Sequence, residues 1–571
     1  MKASKQAIYI GIIILLVLVS YINVFRNEFV WDDHIFIVEN NKITSFSYIP
    51  YYFTHESMNS LWRPIRETLY IVTYKIWGLN AFGYHLNSLI LHSLISLLVF
   101  LIISNIARNK EIALFSAILF AVHPVHTERV TNMTGAFDML GLMFFLLGVY
   151  LFIKYREFGQ KKHLYYSILF YVMALLSSEE VITFIGILIL YDICFSANLK
   201  EFRIKDIKLI KEYAAYIIVS IVYVLLHFLI VQRVGRTLSY FEDSFYVTLL
   251  TSLKSVIYYI GLLIYPVNLT IYRTIPKATS ILSINFMLSF AAMMIIGYIM
   301  VKCYKSKTIS KLIFFSFGWF FITMFLFYNF IPKSTFMADR YLYFPSIGFC
   351  LLLGYLLYKV KDLMILGKKA AVLSIISLLI VAGAYTILTI KRNADWQNEE
   401  KLLTRTVEVS PLSTDANWAL GAYYRKERDY DKAIYYLQKS IEISSKNYIA
   451  QEEIGVSYAE LGQYDKAIDS IKRAIEIYPP ELGGYYKAHN DLGLIYMRMG
   501  SLDEAIIELK KAISTNPEYA KAHNDIATVY ARLGDYQSAE QEFKIAIQIN
   551  PDEASYQKNL DALYALAEKN K

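Results

Sequence analysis

The chain has 571 residues, 56% of them hydrophobic, and a mean hydropathy of +0.37, more apolar than soluble domains, so a bilayer is the expected solvent for much of it. Its formal net charge is +8, but the basic residues fall mostly in short loops between apolar runs (Arg156, Lys161, Lys162, Lys200, Lys205, Lys208, Lys211), which marks membrane topology and excludes nucleic acid as the partner. Three widely spaced cysteines, Cys194, Cys303 and Cys350, make neither a disulfide framework nor a metal site.

The first apolar run, Ile8 to Ile22, follows Lys2 and Lys5 and ends at Tyr21-Ile22-Asn23, without a small-residue cleavage site, so it reads as a retained helix. Runs long enough to cross about 30 Å of hydrocarbon follow near 85–106, 135–154, 212–231, 284–302, 311–330, 340–358 and 370–390. Shorter runs at 111–123, 163–178 and 181–196 are added as spans, the last two as a hairpin turning at Ser177-Ser178-Glu179-Glu180. With the N-terminus cytoplasmic, the basic loops all stay inside only if residues 246–265 do not cross, so that run is expected to be re-entrant or interfacial. Eleven spans result, and the odd number puts the C-terminal part outside the cytoplasm.

From Asp395 onward charges return to about one residue in four, as in soluble proteins. Leu420-Gly421, Ile454-Gly455, Leu492-Gly493 and Ile526-Ala527 recur at steps of 34, 38 and 34 residues, the period of the tetratricopeptide repeat. The expected fold is all-α: a polytopic membrane bundle over residues 1–394, a linker over 395–413, and an α-solenoid over 414–571. Its repeats lie near 414–447, 448–485, 486–519 and 520–553, with a capping helix at 554–569; extra residues around Pro480-Glu481-Leu482-Gly483-Gly484 lengthen one turn. Such an array offers a concave groove for a peptide or protein, the plainer alternative being a stacking scaffold without a ligand.

Ionisable residues near membrane depth are expensive and usually functional. Four clusters gather on the expected outer face: Asp32-Asp33; His123-Pro124-Val125-His126-Thr127-Glu128 with Asp138; Glu179-Glu180; and Asp339-Arg340-Tyr341-Leu342-Tyr343. Arg63 in Leu61-Trp62-Arg63-Pro64 adds a fork able to grip phosphate or carboxylate. If 339–343 begins a helix, Asp339 and Tyr343 share a face at i, i+4. A metal is not expected, because histidines flanking a proline lack the register of a helical zinc site. For each cluster the alternative is ordinary packing or hydration. Convergence argues for more: acids, histidines and arginines at one membrane face supply a base for a hydroxyl and cations for a phosphate leaving group.

The segments Phe29-Val30-Trp31-Asp32-Asp33, Trp62-Arg63-Pro64, Gly83-Tyr84-His85-Leu86-Asn87, Leu119 through Glu128, Tyr265-Pro266-Val267-Asn268-Leu269 and Asp339 through Phe349 resemble the TMTC-like tetratricopeptide-repeat O-mannosyltransferase family, within the GT-C class of membrane glycosyltransferases. The resemblance implies inverting transfer of mannose or another hexose from a polyprenyl- or dolichyl-phosphate carrier to a hydroxyl, a protein Ser or Thr, on the extracytoplasmic face. It implies Asp33 or Asp32 as general base, Arg63, His126 and Arg340 against donor phosphate, and His123, Glu128, Asp138, Glu179, Asp339 and Tyr343 in support, with no metal and no cofactor beyond the lipid-linked donor. Expected partners are that donor, membrane lipid and a protein held by the repeats. A prokaryotic plasma membrane is preferred over the endoplasmic reticulum. Two departures remove a cation: Gly135-Ala136-Phe137-Asp138 stands where relatives often have Gly-Arg-x-Asp, and Ser178-Glu179 where they often have Lys-Glu. The competing readings are a non-catalytic membrane scaffold and a transporter of lipid-linked sugar; the transporter calls for polar residues at mid-depth and on both faces.

Overall fold

Inside a bilayer every backbone N–H and C=O must be satisfied within the chain, and an apolar run does this by coiling into a helix. The computed structural model describes residues 2–58, 61–195, 207–231, 240, 244–304, 308–330, 335–362, 369–479 and 482–569, and among these no β-strand forms. Lys200, Lys205, Pro480 and Glu481 lie outside the described residues, as do the side chains of Lys208 and Lys211. The chain divides into two units, Met1–Arg405 and Thr406–Lys571.

Among the described residues of the first unit seven helices are long and apolar enough to cross a membrane: Lys5–Arg26, Ala81–Ala107, Met133–Phe158, Glu212–Val231, Phe245–Ile264, Ile284–Tyr304 and Lys369–Asp395. The protein is therefore an integral, multi-pass membrane protein. Residues 245–264, expected as re-entrant or interfacial, form one unbroken helix of 20 residues, which does not turn back as a re-entrant segment does; no proline or glycine pair interrupts it. Five other expected spans are shorter helices, Lys110–Val122, Lys161–Leu175, Phe184–Phe195, Thr308–Met324 and Ser346–Lys359. Turns cut them short: Pro124 follows the first, and a 3-10 turn over Glu179–Thr183 precedes Phe184–Phe195. Length alone thus does not reproduce a count of eleven.

The bundle closes around fully buried Ile95, Val99, Phe120, Leu142, Phe145 and Phe184. Lipid takes the remaining faces. The most apolar windows of Glu212–Val231 and Ile284–Tyr304 are only 17% and 11% buried, leaving Leu225, Leu229, Met287 and Leu288 exposed.

Pro64 occupies the first turn of a 14-residue helix, Pro64–Trp77, where its missing N–H costs nothing. Tyr70 on this helix stacks on Phe137 at 3.8 Å, and Phe36, Ile37, Ile43 and Tyr52 fold over it into a small apolar core of their own.

The segment 395–413 contains an 11-residue helix, Glu399–Val409, and the two units divide inside it. In the second unit eight helices pair as Thr414–Lys426 with Tyr430–Ile443, Tyr448–Glu460 with Tyr464–Ile477, Tyr486–Met499 with Leu502–Thr515, and Ala520–Arg532 with Tyr536–Ile549; Ala554–Lys569 caps them. The close approach within a pair needs a small residue: a Cβ on Gly455 would lie 2.7 Å from the Ile471 side chain. The turn inside each pair repeats one hydrogen-bond pattern and takes a left-handed residue, Gly462, Gly500 and Gly534 at φ 72°, 84° and 81°.

In the first pair that position is Arg428 at φ 63°, exposed and with the same pair of backbone bonds. A side chain in this region costs about 1 kcal/mol or slightly more. Arg428→Gly is accordingly expected to stabilise the repeat unit by about 1 kcal/mol, read as a higher denaturation midpoint. A lower midpoint would contradict this account of the turn.

Candidate active site

Asp138, in the second turn of Met133–Phe158, is the hub of a buried charge cluster. Arg63, Arg66 and Arg129 reach it at 2.6, 3.0 and 2.5 Å, and their side chains are 9%, 2% and 3% exposed. Charges this deep persist only when paired and hydrogen-bonded. Arg63 forks onto Glu179 with Nε–Oε2 at 2.7 Å and Nη2–Oε1 at 2.6 Å, Arg66 pairs with Glu67 at 2.8 Å, and Arg129 with Glu180.

Local sequence builds this. Arg63 precedes the helix that Pro64 starts, which leaves Arg66 and Glu67 in its first turn. Ser178 caps the Glu179–Thr183 turn, and a Cβ on Gly141 would fall 2.7 Å from that of Ser178, so the acids are pressed against the Asp138 helix. At the two departures Ser178 and Ala136 are buried, and Arg66 and Arg129 supply cations to the cluster.

A second arm starts at Glu128, whose Oε2 accepts the Arg340 N–H at 2.9 Å and whose Oε1 lies 2.5 Å from Arg340 Nη1. Arg129 Nε donates to the Arg340 carbonyl at 3.4 Å, which joins the two arms. Asp339 and Arg340 do not neutralise each other: Asp339 pairs with Arg273 at 2.9 Å and accepts the Thr270 N–H at 2.7 Å, pinning the turn that follows Tyr265-Pro266. Nor do Asp339 and Tyr343 share a helix face. Residues Asp339–Leu342 form a 3-10 turn, and the α-helix starts at Ser346, after Pro345, which has no N–H to continue an earlier helix.

Asp33 is fully buried, and its oxygens accept the N–H of Thr134 at 2.7 Å and of Val30 at 3.2 Å, tying the first loop to the start of Met133–Phe158. Burial pushes its carboxyl up to about 6 despite these bonds. A raised pKa means the fold binds the proton more tightly than the unfolded chain. This contribution is full below the ordinary carboxylate range and is lost as pH rises through about 6. Between pH 4 and 7 wild type is thus expected to lose more thermal stability than Asp33→Asn; parallel profiles of melting midpoint against pH would contradict that.

Asp32 is half-buried and acts electrostatically on Arg340, whose guanidinium lies 5.6 Å from the Trp31 ring. The cluster thus holds a carboxylate with solvent access beside a cation.

The histidines lie apart from the arginines. His126, fully buried, bonds through Nε2 to Ser346 Oγ at 2.8 Å; His123 donates through Nε2 to the Leu263 carbonyl at 3.1 Å. Tyr343 bonds to His92 at 2.7 Å. The three residues expected against donor phosphate are therefore split: Arg63 and Arg340 lie in the charged cluster, whereas His126, like the supporting residues His123 and Tyr343, bonds between helices apart from it. Among the described residues no cluster of His, Cys, Asp or Glu is arranged to hold a metal ion.

Three arginines escaped the sequence reading, and each had a signal. Arg66 lies one helical turn beyond Arg63, Arg129 directly follows the His-Thr-Glu run, and Arg273 closes the segment that starts at Tyr265-Pro266.

In the second unit a separate cavity of about 510 Å³ lies along the inner helices of the repeats, lined by Tyr448, Glu452, Glu453, Tyr485, Asp491 and Arg425 among others.

Fold and site together define a polytopic membrane protein with a buried arginine–carboxylate cluster at one end of its bundle, followed in the chain by a tetratricopeptide array. A family described as Dolichyl-phosphate-mannose-protein mannosyltransferase matches residues 68–227, and tetratricopeptide repeat families match 412–479 and 490–554. The chain is 26% identical over 435 residues to Protein O-mannosyl-transferase F38B6.6 of Caenorhabditis elegans, covering 72% of this chain and 59% of that one. It is 24% identical over 468 residues to human Protein O-mannosyl-transferase TMTC3, covering 75% and 50%. A solved structure of MamA is 26% identical over 29% of this chain and 94% of its own, with a TM-score of 0.25. In both parts the chain is similar to the TMTC-like tetratricopeptide-repeat O-mannosyltransferases. It spans about half to three-fifths of the length of these curated relatives.

Proposed function

We propose that the protein transfers a hexose, mannose first, from a polyprenyl- or dolichyl-phosphate carrier to a protein hydroxyl on the extracytoplasmic side. The observation that carries this is a half-buried carboxylate, Asp32, within electrostatic range of Arg340 at the edge of a cluster of buried arginines. Asp32 takes the proton from the acceptor hydroxyl as its oxygen attacks the anomeric carbon, and the carrier phosphate leaves with its charge met by arginine. Asp33 holds the loop that presents Asp32, and Asp138 keeps the arginines in place.

The distribution of charge supports this side of the membrane. Met133–Phe158 has Asp138 near its start and Lys154 and Arg156 near its end, Ala81–Ala107 runs into Arg108, and Ser346–Lys359 starts beside Arg340 and ends at Lys359. Basic residues at the end opposite the cluster favour the cytoplasm there and the reaction outside. The groove of the repeats is read as the seat of the acceptor or of a protein that brings it.

The ion pairs that every one of the cluster's arginines makes also favour a second reading, a scaffold whose polar residues only lock helices. The stereochemistry of the product separates them. A single displacement gives a glycoside of opposite anomeric configuration to the donor, read by NMR on a modified peptide. Retained configuration would overturn the mechanism, and absence of any glycoside across several carrier-linked hexoses would favour the scaffold.

A further inference from the structure

Beside Arg63 lie three polar atoms that the cluster does not use. Trp62 stacks on Tyr223 at 5.8 Å and 21°, and His227 lies 6.5 Å from Trp62 and 5.8 Å from Tyr223. Trp62 and Tyr223 are 3% and 6% exposed, yet Trp62 Nε1, Tyr223 Oη and His227 Nδ1 are all buried without a hydrogen-bond partner. Buried polar atoms are nearly always satisfied, and three together mark a place where a partner binds.

The chemistry of the three says what kind. An indole N–H only donates, and a tyrosine hydroxyl beside it offers a second donor, so the missing group is an acceptor with several lone pairs. Arg63 and Glu179 lie within electrostatic range of both Tyr223 and His227. Glu179, with its side chain 42% exposed against 16% for Asp138 and 13% for Glu180, is the acid best able to turn away and free the Arg63 fork for an anion. Tyr223 and His227 sit on the Glu212–Val231 helix, whose other faces are lipid-exposed at Leu225, Phe228 and Leu229. An anion seated here has an apolar surface beside it along which a hydrocarbon tail can lie.

We propose that Trp62, Tyr223 and His227, with Arg63, form the seat of the phosphate ester of a polyisoprenyl carrier, which enters sideways from the bilayer along the Glu212–Val231 helix. The identity of the carrier rests on the transferase reading; the site itself rests on the unpartnered donors.

The test uses the purified full chain in detergent and labelled polyprenyl monophosphate, which carries no sugar. Wild type is expected to bind it, with Trp62→Phe and Tyr223→Phe each weakening binding about tenfold while melting like wild type, since both keep the stacked ring and remove only the donor. Glu179→Gln is expected to tighten it. Binding by wild type that both Phe variants match would overturn the subsite and leave the transferase reading standing. Inorganic phosphate that competes at equal concentration would overturn the lateral lipid site in favour of a general anion site. Failure of wild type to bind the lipid overturns the subsite, and if transfer is also absent the transferase reading falls with it.

Discussion

Asp32→Asn is expected to lower turnover about 10²- to 10⁴-fold, the usual share of a general base, while expression and melting stay near wild type. The amide has the same shape but cannot take a proton at neutral pH. Asp32 is half-buried, so less is lost by removing its charge than at a fully buried acid. Asp33→Asn makes the contrast: Asp33 is fully buried on two backbone N–H groups, so its loss is expected to disturb the loop and to lower stability together with activity. Full transfer by Asp32→Asn would remove Asp32 from the mechanism.

Asp138→Asn is expected to have the largest effect on stability, a loss of about 3–5 kcal/mol, because it leaves Arg63, Arg66 and Arg129 sharing one charge fewer in a buried site. Glu179→Gln is the internal comparison. Its side chain is 42% exposed and Arg63 keeps Asp138, so about 1 kcal/mol or less is expected. Thermal unfolding in detergent ranks the variants, and an Asp138→Asn protein that melts with wild type would show that the hub does not hold the cluster.

The repeats were legible because their chemistry is periodic: Gly421, Gly455, Gly493 and Ala527 recur where two helices touch, and the structure places a helix pair at each. Long apolar runs were legible for the same reason, since helix length is set by hydrocarbon thickness. The ion pairs were not. Arg63 meets Asp138 and Glu179 across 75 and 116 positions, and Glu128 meets Arg340 across 212, so no spacing rule reaches them. Motif reading found most of the acids but credited the histidines, which lie beside Pro124 and turn inward to bond Ser346 and the Leu263 carbonyl. The i, i+4 argument for Asp339 and Tyr343 failed at Pro345, a residue visible in the sequence whose effect on the start of the helix outweighed the spacing.

The central claim is that this chain moves a sugar from a lipid phosphate to protein. The most direct measurement follows radiolabelled mannose from polyprenyl-phosphate mannose into the protein fraction of membranes that contain or lack the wild-type chain. The account predicts label that requires the chain and that unlabelled polyprenyl-phosphate mannose dilutes. Equal label in both membranes, or none with mannose and other carrier-linked hexoses, would contradict it.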